Sequence, residues 1–283
     1  MDFQIELRGA DYWAQAAGGA AFFVGRRVRF GGRTGLMNDR TGPAYVARHY
    51  LPDIGIWASA LAPTIACEGG RFCALNSYDR ARFSFGIGQF AAHVPEGDFV
   101  GLMRRLLILP EAAAYLPDLC LAAGRICRAG PDAPEPLESG QSSARLALWC
   151  NPHRAQIDGQ EAQLAARLIH WTAHHRSARL VQLAQMIASF RAGLGRACRH
   201  LEVSRLAAPN AVVIADVLHH GRGGARPWAR LAAALDQPEA LAALLDIGAR
   251  RWPARIAALR AALQTLPELA AYHWDRTLGD FGQ

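Results

Sequence analysis

Lysine is missing from this chain of 283 residues: all 31 basic side chains are arginine, and against 24 acids they leave a formal net charge of +7. The arginines are scattered, with pairs at Arg26–Arg27, Arg104–Arg105 and Arg250–Arg251 but no longer basic block. Aromatic and basic residues do not alternate as they do on surfaces that stack bases, so no nucleic-acid partner is expected. Positive charge instead favours anionic lipid or the anionic polymers of a bacterial wall. The bias toward Ala, Gly, Arg and Leu reads as a habit of the coding genome as much as a physical requirement.

Other absences narrow the chemistry. Six cysteines, at 67, 73, 120, 127, 150 and 198, are too few for a disulfide scaffold in a chain of this length. No Cys-x-x-Cys pair occurs, which removes a zinc knuckle and a thioredoxin-type site. Cys67 and Cys73 flank Glu68 and are open to two readings, a bridge in an oxidising compartment or two buried free thiols. Gly-x-Ser-x-Gly is absent, no cysteine has a histidine neighbour that predicts a triad, and Gly221-Arg222-Gly223-Gly224 lacks the lysine of a phosphate loop. His170 and His174 share a helical face and His175 follows, but without His-Glu-x-x-His they read as solvated or core histidines. No metal and no cofactor are expected.

No apolar run reaches the length of about 18 residues that suggests a membrane span. The first eight residues, Met1-Asp2-Phe3-Gln4-Ile5-Glu6-Leu7-Arg8, carry acids where a secretory leader has a basic and then an apolar segment. A protein without a cleavable leader, cytoplasmic when made, is expected; a wall substrate would then be reached through a dedicated secretion system or after lysis.

What the chain does contain is mostly helical periodicity. Ile54, Trp57, Leu61 and Ile65 recur at helical spacing despite Pro63, which predicts an interrupted or kinked helix up to Cys67. Asp98 precedes a run closed by Pro110, and further helical periods cover 161–175, 178–190, 211–219, 238–245 and 251–263. Residues 72–90 alternate Phe83, Phe85, Ile87 and Gln89 with Ser84, Gly86 and Gly88, as in one strand of a small hairpin. Residues 1–50 are the least regular, with one short strand expected at 3–7. The expected architecture is mainly α with a small β-hairpin (α+β), with an N-terminal cover over 1–50 and a helical catalytic domain over 51–283.

The chemistry-bearing segment lies where the first of these helices runs out. Glu68 ends an apolar helix at Gly69-Gly70, and Asp79 follows in Asn76-Ser77-Tyr78-Asp79, ahead of Ser84-Phe85-Gly86-Ile87-Gly88-Gln89-Phe90. Cleaving a glycosidic bond takes an acid that keeps its proton and a second carboxylate that stays ionised. Partial burial among Trp57, Ile65 and Phe72 would suit Glu68 to the first role, and polar neighbours would suit Asp79 to the second. The plainer alternatives are a solvated helix-end acid and a turn residue. Glycines along a strand leave room for a sugar ring against the backbone.

In this order these segments resemble the lysozyme superfamily of phage-type lysozymes, lytic transglycosylases and chitosanases. The resemblance covers about residues 55–110. It implies a lysozyme-like fold, gives Glu68 the place of the general acid and Asp79 that of the hairpin aspartate, and puts Gly86, Gly88 and Gln89, with Tyr78 and Ser84, beside the substrate. A second constellation, Asp216-Val217-Leu218-His219-His220-Gly221-Arg222, sets a carboxylate in an apolar helix. Asp216 needs a partner there, with Arg222 or His220 at hand, and is open to an ion-pair or a substrate-contact role.

The expected function is therefore a glycoside hydrolase cutting β-1,4 bonds of peptidoglycan, a muramidase, serving as a phage lysin or as a secreted antibacterial effector with a cognate immunity protein. Alternatives are a lytic transglycosylase, a chitosanase-like hydrolase, and a non-catalytic wall-binding or phage structural protein.

Overall fold

The structure, a computed structural model, describes residues 1–131 and 133–283. The chain forms two compact units, one of Met1–Ala44 with Arg71–Gln185, the other of Tyr45–Gly70 with Met186–Gln283.

The first unit is built on a seven-stranded antiparallel meander whose order follows the chain: β1 (Gln4–Arg8), β2 (Asp11–Gln15), β3 (Phe22–Phe30), β4 (Arg33–Asn38), β5 (Leu75–Asn76), β6 (Ser84–Phe85) and β7 (Phe90–Ala91). The long pair β3–β4 is closed by Gly31-Gly32 with Phe30 opposite Arg33. Both glycines have positive φ, 56° and 76°, the conformation a two-residue hairpin turn requires and side chains resist. Inward-facing Val24, Leu36, Leu75 and Phe85 are fully buried or nearly so. A separate sheet joins β8 (Leu119–Ala122), β9 (Arg125–Arg128) and β10 (Glu135–Pro136).

The helices, in chain order, are α1 (Leu51–Ile54), α2 (Trp57–Cys67), α3 (Asp98–Leu106), α4 (Ala112–Tyr115), α5 (Ala144–Cys150), α6 (Gly159–His174), α7 (Arg176–His200), α8 (Ala208–His220), α9 (Pro227–Leu235), α10 (Ala240–Asp246) and α11 (Pro253–Gln264). Helices α3 to α6 belong to the first unit, α1, α2 and α8 to α11 to the second, and the boundary falls within α7. The second unit also holds the sheet β11 (Arg205–Ala207), β12 (His273–Asp275) and β13 (Asp280–Gly282). Its core is α8, buried continuously from Ala211 to Val217, against which α2 and α10 pack. No helix among the described residues is long and apolar enough to cross a membrane.

The expectation of a mainly α protein with one small hairpin is overturned: the described residues form a mixed α/β fold with eleven helices and sheets of seven, three and three strands. The largest difference lies in residues 1–50: the short strand expected at 3–7 is present as β1, but the rest, expected to be an irregular cover, holds β2 to β4. Strand β1 is mostly exposed and β3 ends in Arg26, Arg27 and Arg29, so apolar alternation never becomes clean there. Backbone ladders hold these strands, and side-chain periodicity does not report them. The strand expected through 83–90 is a hairpin, β6 and β7, with Gly86 to Gln89 as its turn. Helix α2 runs unbroken past Pro63.

Candidate functional site

Helix α2 ends in a reversal that fixes Glu68. The Gly70 N–H donates to the Ile65 carbonyl at 2.9 Å and the Glu68 N–H to Thr64 at 3.1 Å, so the last turn closes on itself. A helix C-terminus carries partial negative charge and is a poor place for a carboxylate. Arg255 on α11 compensates: its Nη1 donates to Glu68 Oε1 at 2.7 Å. The second Glu68 oxygen takes no hydrogen bond among the described residues.

Arg255 is itself held. Its Nη2 donates to Asp216 Oδ1 at 2.5 Å and its Nε to Oδ2 at 3.4 Å, while Arg222 Nε donates to Oδ2 at 3.0 Å and the Thr64 hydroxyl to Oδ1 at 3.2 Å. Arg222 is tied in turn through Nη1 to the carbonyls of Leu244, Leu245 and Ile247. The result is a chain of alternating acidic and basic side chains, Glu68, Arg255, Asp216, Arg222. Exposure falls along it: the Glu68 side chain is 17% exposed, that of Arg255 9%, and those of Asp216 and Arg222 are wholly buried. Burial alone would push the Asp216 carboxyl up, but the two guanidiniums, Arg255 foremost, hold it below its ordinary value. His220 lies beside the network with its ring edge against Trp252, and burial pushes its imidazole down.

Glu68 and Asp216 are thus brought together through Arg255. The apolar setting expected for Glu68 is replaced by an ionic one. For Asp216 the partners are Arg222, as its sequence neighbourhood suggested, and Arg255, which it did not. A signal was present: Arg255 falls three residues after Trp252 and four before Leu259, on the apolar stripe of α11, and a cation there requires a buried acid.

The remaining expected site residues belong to the first unit. Asp79 caps its own turn, Oδ1 accepting from the Ala81 N–H at 2.7 Å and Oδ2 from Asn76 Nδ2 at 3.3 Å. The Tyr78 N–H donates to Asn76 Oδ1, and Ser84 is buried opposite Asn76 in the β5–β6 register. Gly86, at φ 87°, lies so close to the buried Gln182 that a Cβ would meet Gln182 Oε1 at 2.5 Å. Gly88 is covered by the ring of Phe90, at 2.5 Å from where its Cβ would lie. Gln89, half-buried at φ 46°, donates to the Gly86 carbonyl and completes the turn. Around Gly86 and Gly88, then, the space is filled by the protein's own side chains.

A group missed entirely is Glu161. It is fully buried near the start of α6, where the Ser77 hydroxyl donates to its Oε1 at 2.5 Å while accepting from the Leu36 N–H at 2.6 Å. Burial, helped by the charge of Asp158, pushes this carboxyl up to about 8. In sequence it is disguised, since Asp158-x-x-Glu161 has the spacing of a solvent-exposed capping box. The cysteines are free thiols; burial raises Cys67 to about 11 and Cys73 to about 12.

A scan against protein-family models, a search of curated proteins and a search of solved structures each find nothing that matches this chain.

Proposed function

We propose that the protein is a glycoside-cleaving enzyme acting on β-1,4 bonds of peptidoglycan, with Glu68 as the residue that moves the proton. One observation carries this: a carboxyl group held by a single oxygen at the end of a buried ion network, its other oxygen open. Buried ion pairs cost desolvation energy of several kcal/mol per ion, roughly cancelled by their mutual attraction, so they are a weak source of stability. They do fix a side chain. Proton transfer demands that, because a catalytic carboxyl works only when held close to its productive geometry by groups that are themselves locked. Arg255 supplies the hold, Asp216 and Arg222 lock Arg255, and the bound substrate would complete the surroundings in which Glu68 gains or gives its proton. In this assignment Asp216 acts through Arg255 and positions Glu68.

A net charge of +7 favours the anionic wall polymer over cationic chitosan, which argues against a chitosanase. Hydrolysis calls for a second carboxylate, for which the sequence nominates Asp79. A lytic transglycosylase uses the N-acetyl group of its substrate instead, and the use of both Asp79 oxygens in its own turn favours this second possibility. Incubating purified protein with sacculi and weighing the fragments decides between them: reducing ends identify the hydrolase, anhydromuramic ends the transglycosylase. Intact sacculi that nevertheless bind the protein would identify a wall-binding component and end the enzymatic proposal. Delivery to the wall would be by a dedicated export machine or by lysis, and a toxin of this kind would have an immunity protein as partner.

A further inference from the structure

Two cysteines that lie apart from Glu68 in the chain are placed opposite one another. Cys120 on β8 pairs in register with Cys127 on β9. Directly opposed residues of an antiparallel ladder project to the same face with Cα atoms about 4.5–5.5 Å apart, within the span of about 4.4–6.8 Å that a disulfide bridges. The register is pinned on two sides. The turn is Ala123-Gly124, both at positive φ (49° and 73°), as a two-residue hairpin requires, and β10 pairs along the other edge of β9 with Pro136 opposite Cys127. Both thiols are free; Cys127 is buried and Cys120 is half-exposed. Among the described residues no other two cysteines share a strand register.

We propose that Cys120 and Cys127 are a redox-responsive pair that closes to an intramolecular disulfide when the protein meets a low-molecular-weight disulfide. The half-exposed Cys120 reacts first. Its thiolate, having lost its proton to solvent, attacks one sulfur of oxidised glutathione; the S–S bond of glutathione breaks, and one glutathione thiolate leaves. Cys127 then gives up its proton and attacks the Cys120 sulfur of the mixed disulfide, expelling the second glutathione. Two protein thiols are oxidised and one glutathione disulfide is reduced to two thiols. The second step is intramolecular, so the burial of Cys127 does not prevent it, and that burial, which raises its thiol, keeps it from reacting with solution reagents on its own.

The experiment is to incubate the folded protein with oxidised glutathione, alkylate remaining thiols in denaturant, and digest with trypsin. Cleavage after Arg105, Arg125 and Arg128 places Cys120 in Leu106–Arg125 and Cys127 in the tripeptide Ile126-Cys127-Arg128. The expected product is these two peptides joined, lighter than their sum by two hydrogen atoms, with the free-thiol count lowered by two. Cys120→Ser should abolish the cross-link and leave Cys127 alkylated, and Cys127→Ser should trap glutathione on Cys120. Recovery of Cys120 and Cys127 both alkylated, a mixed disulfide that persists on Cys120 in the unsubstituted protein, or a cross-link between other cysteines would overturn the proposal.

Discussion

At the scale of single residues, the four charges around Glu68 differ in what their loss costs. Asp216 and Arg222 are wholly buried, so Asp216→Asn leaves Arg222 buried without a carboxylate and Arg255 with Glu68 alone, and unfolding in denaturant should show a loss of about 3–5 kcal/mol. Glu68→Gln leaves Arg255 paired with Asp216 and can keep an acceptor oxygen opposite its Nη1, so the loss should be smaller, about 1 kcal/mol. Equal losses would mean that Glu68 is part of the structural network and not its functional end. Glu161 makes a prediction of its own. Its folded value of about 8 lies above the ordinary 4.5, so the folded protein holds a proton there that the unfolded chain releases as pH rises above 4.5. The stability it contributes is complete below that value and drains away up to about pH 8, at up to about 1.4 kcal/mol per pH unit. Denaturant midpoints between these limits should therefore fall more steeply for the native protein than for Glu161→Gln, and parallel curves would contradict the assignment.

At the scale of elements, the β6–β7 turn shows how a motif can be found correctly and explained wrongly. The glycines at 86 and 88 stand out in sequence as backbone left bare for a ligand. In the fold, Gly86 is bare because Gln182 occupies that space, accepting from the Ile87 N–H at 2.9 Å and donating through Nε2 to the Phe72 carbonyl and Thr172. Gly86→Ala should then destabilise the first unit by about 1–3 kcal/mol through a steric clash at positive φ, measurable by thermal melting. Pairing it with Gln182→Ala should relieve part of the clash; a strictly additive pair would show that the two do not compete for space. Helix α6 was legible because its apolar stripe is regular, and the helical period expected at 178–190 covers the first half of α7. Helix α4 is a single turn, too short for a stripe to stand out, and β8 to β13 run only two to four residues each. Residues 9–44 escaped for a different reason: in β2 to β4 backbone pairing does the ordering, and Gly25-Arg26-Arg27 interrupts the apolar pattern of the longest strand.

At the scale of the whole molecule, a chain with 31 arginines and a net charge of +7 should bind a polyanionic wall through long-range attraction. Retention on purified sacculi should weaken markedly as salt rises from about 0.05 to 0.5 M, since screening shortens the reach of each charge. Retention that ignores salt would place recognition in uncharged contacts. The part of the site legible in sequence was the pair of acids, Glu68 at a helix end and Asp216 in an apolar helix. What joins them, Arg255, comes from a third helix and depends on tertiary packing. The most direct test of Glu68 as the proton-moving residue is the turnover of sacculi by Glu68→Gln beside the native protein, with unfolding midpoints measured on the same samples. A loss of about 10²–10⁴-fold in rate at a nearly unchanged midpoint is the predicted result. Cleavage at the native rate by a fully folded Glu68→Gln would contradict it.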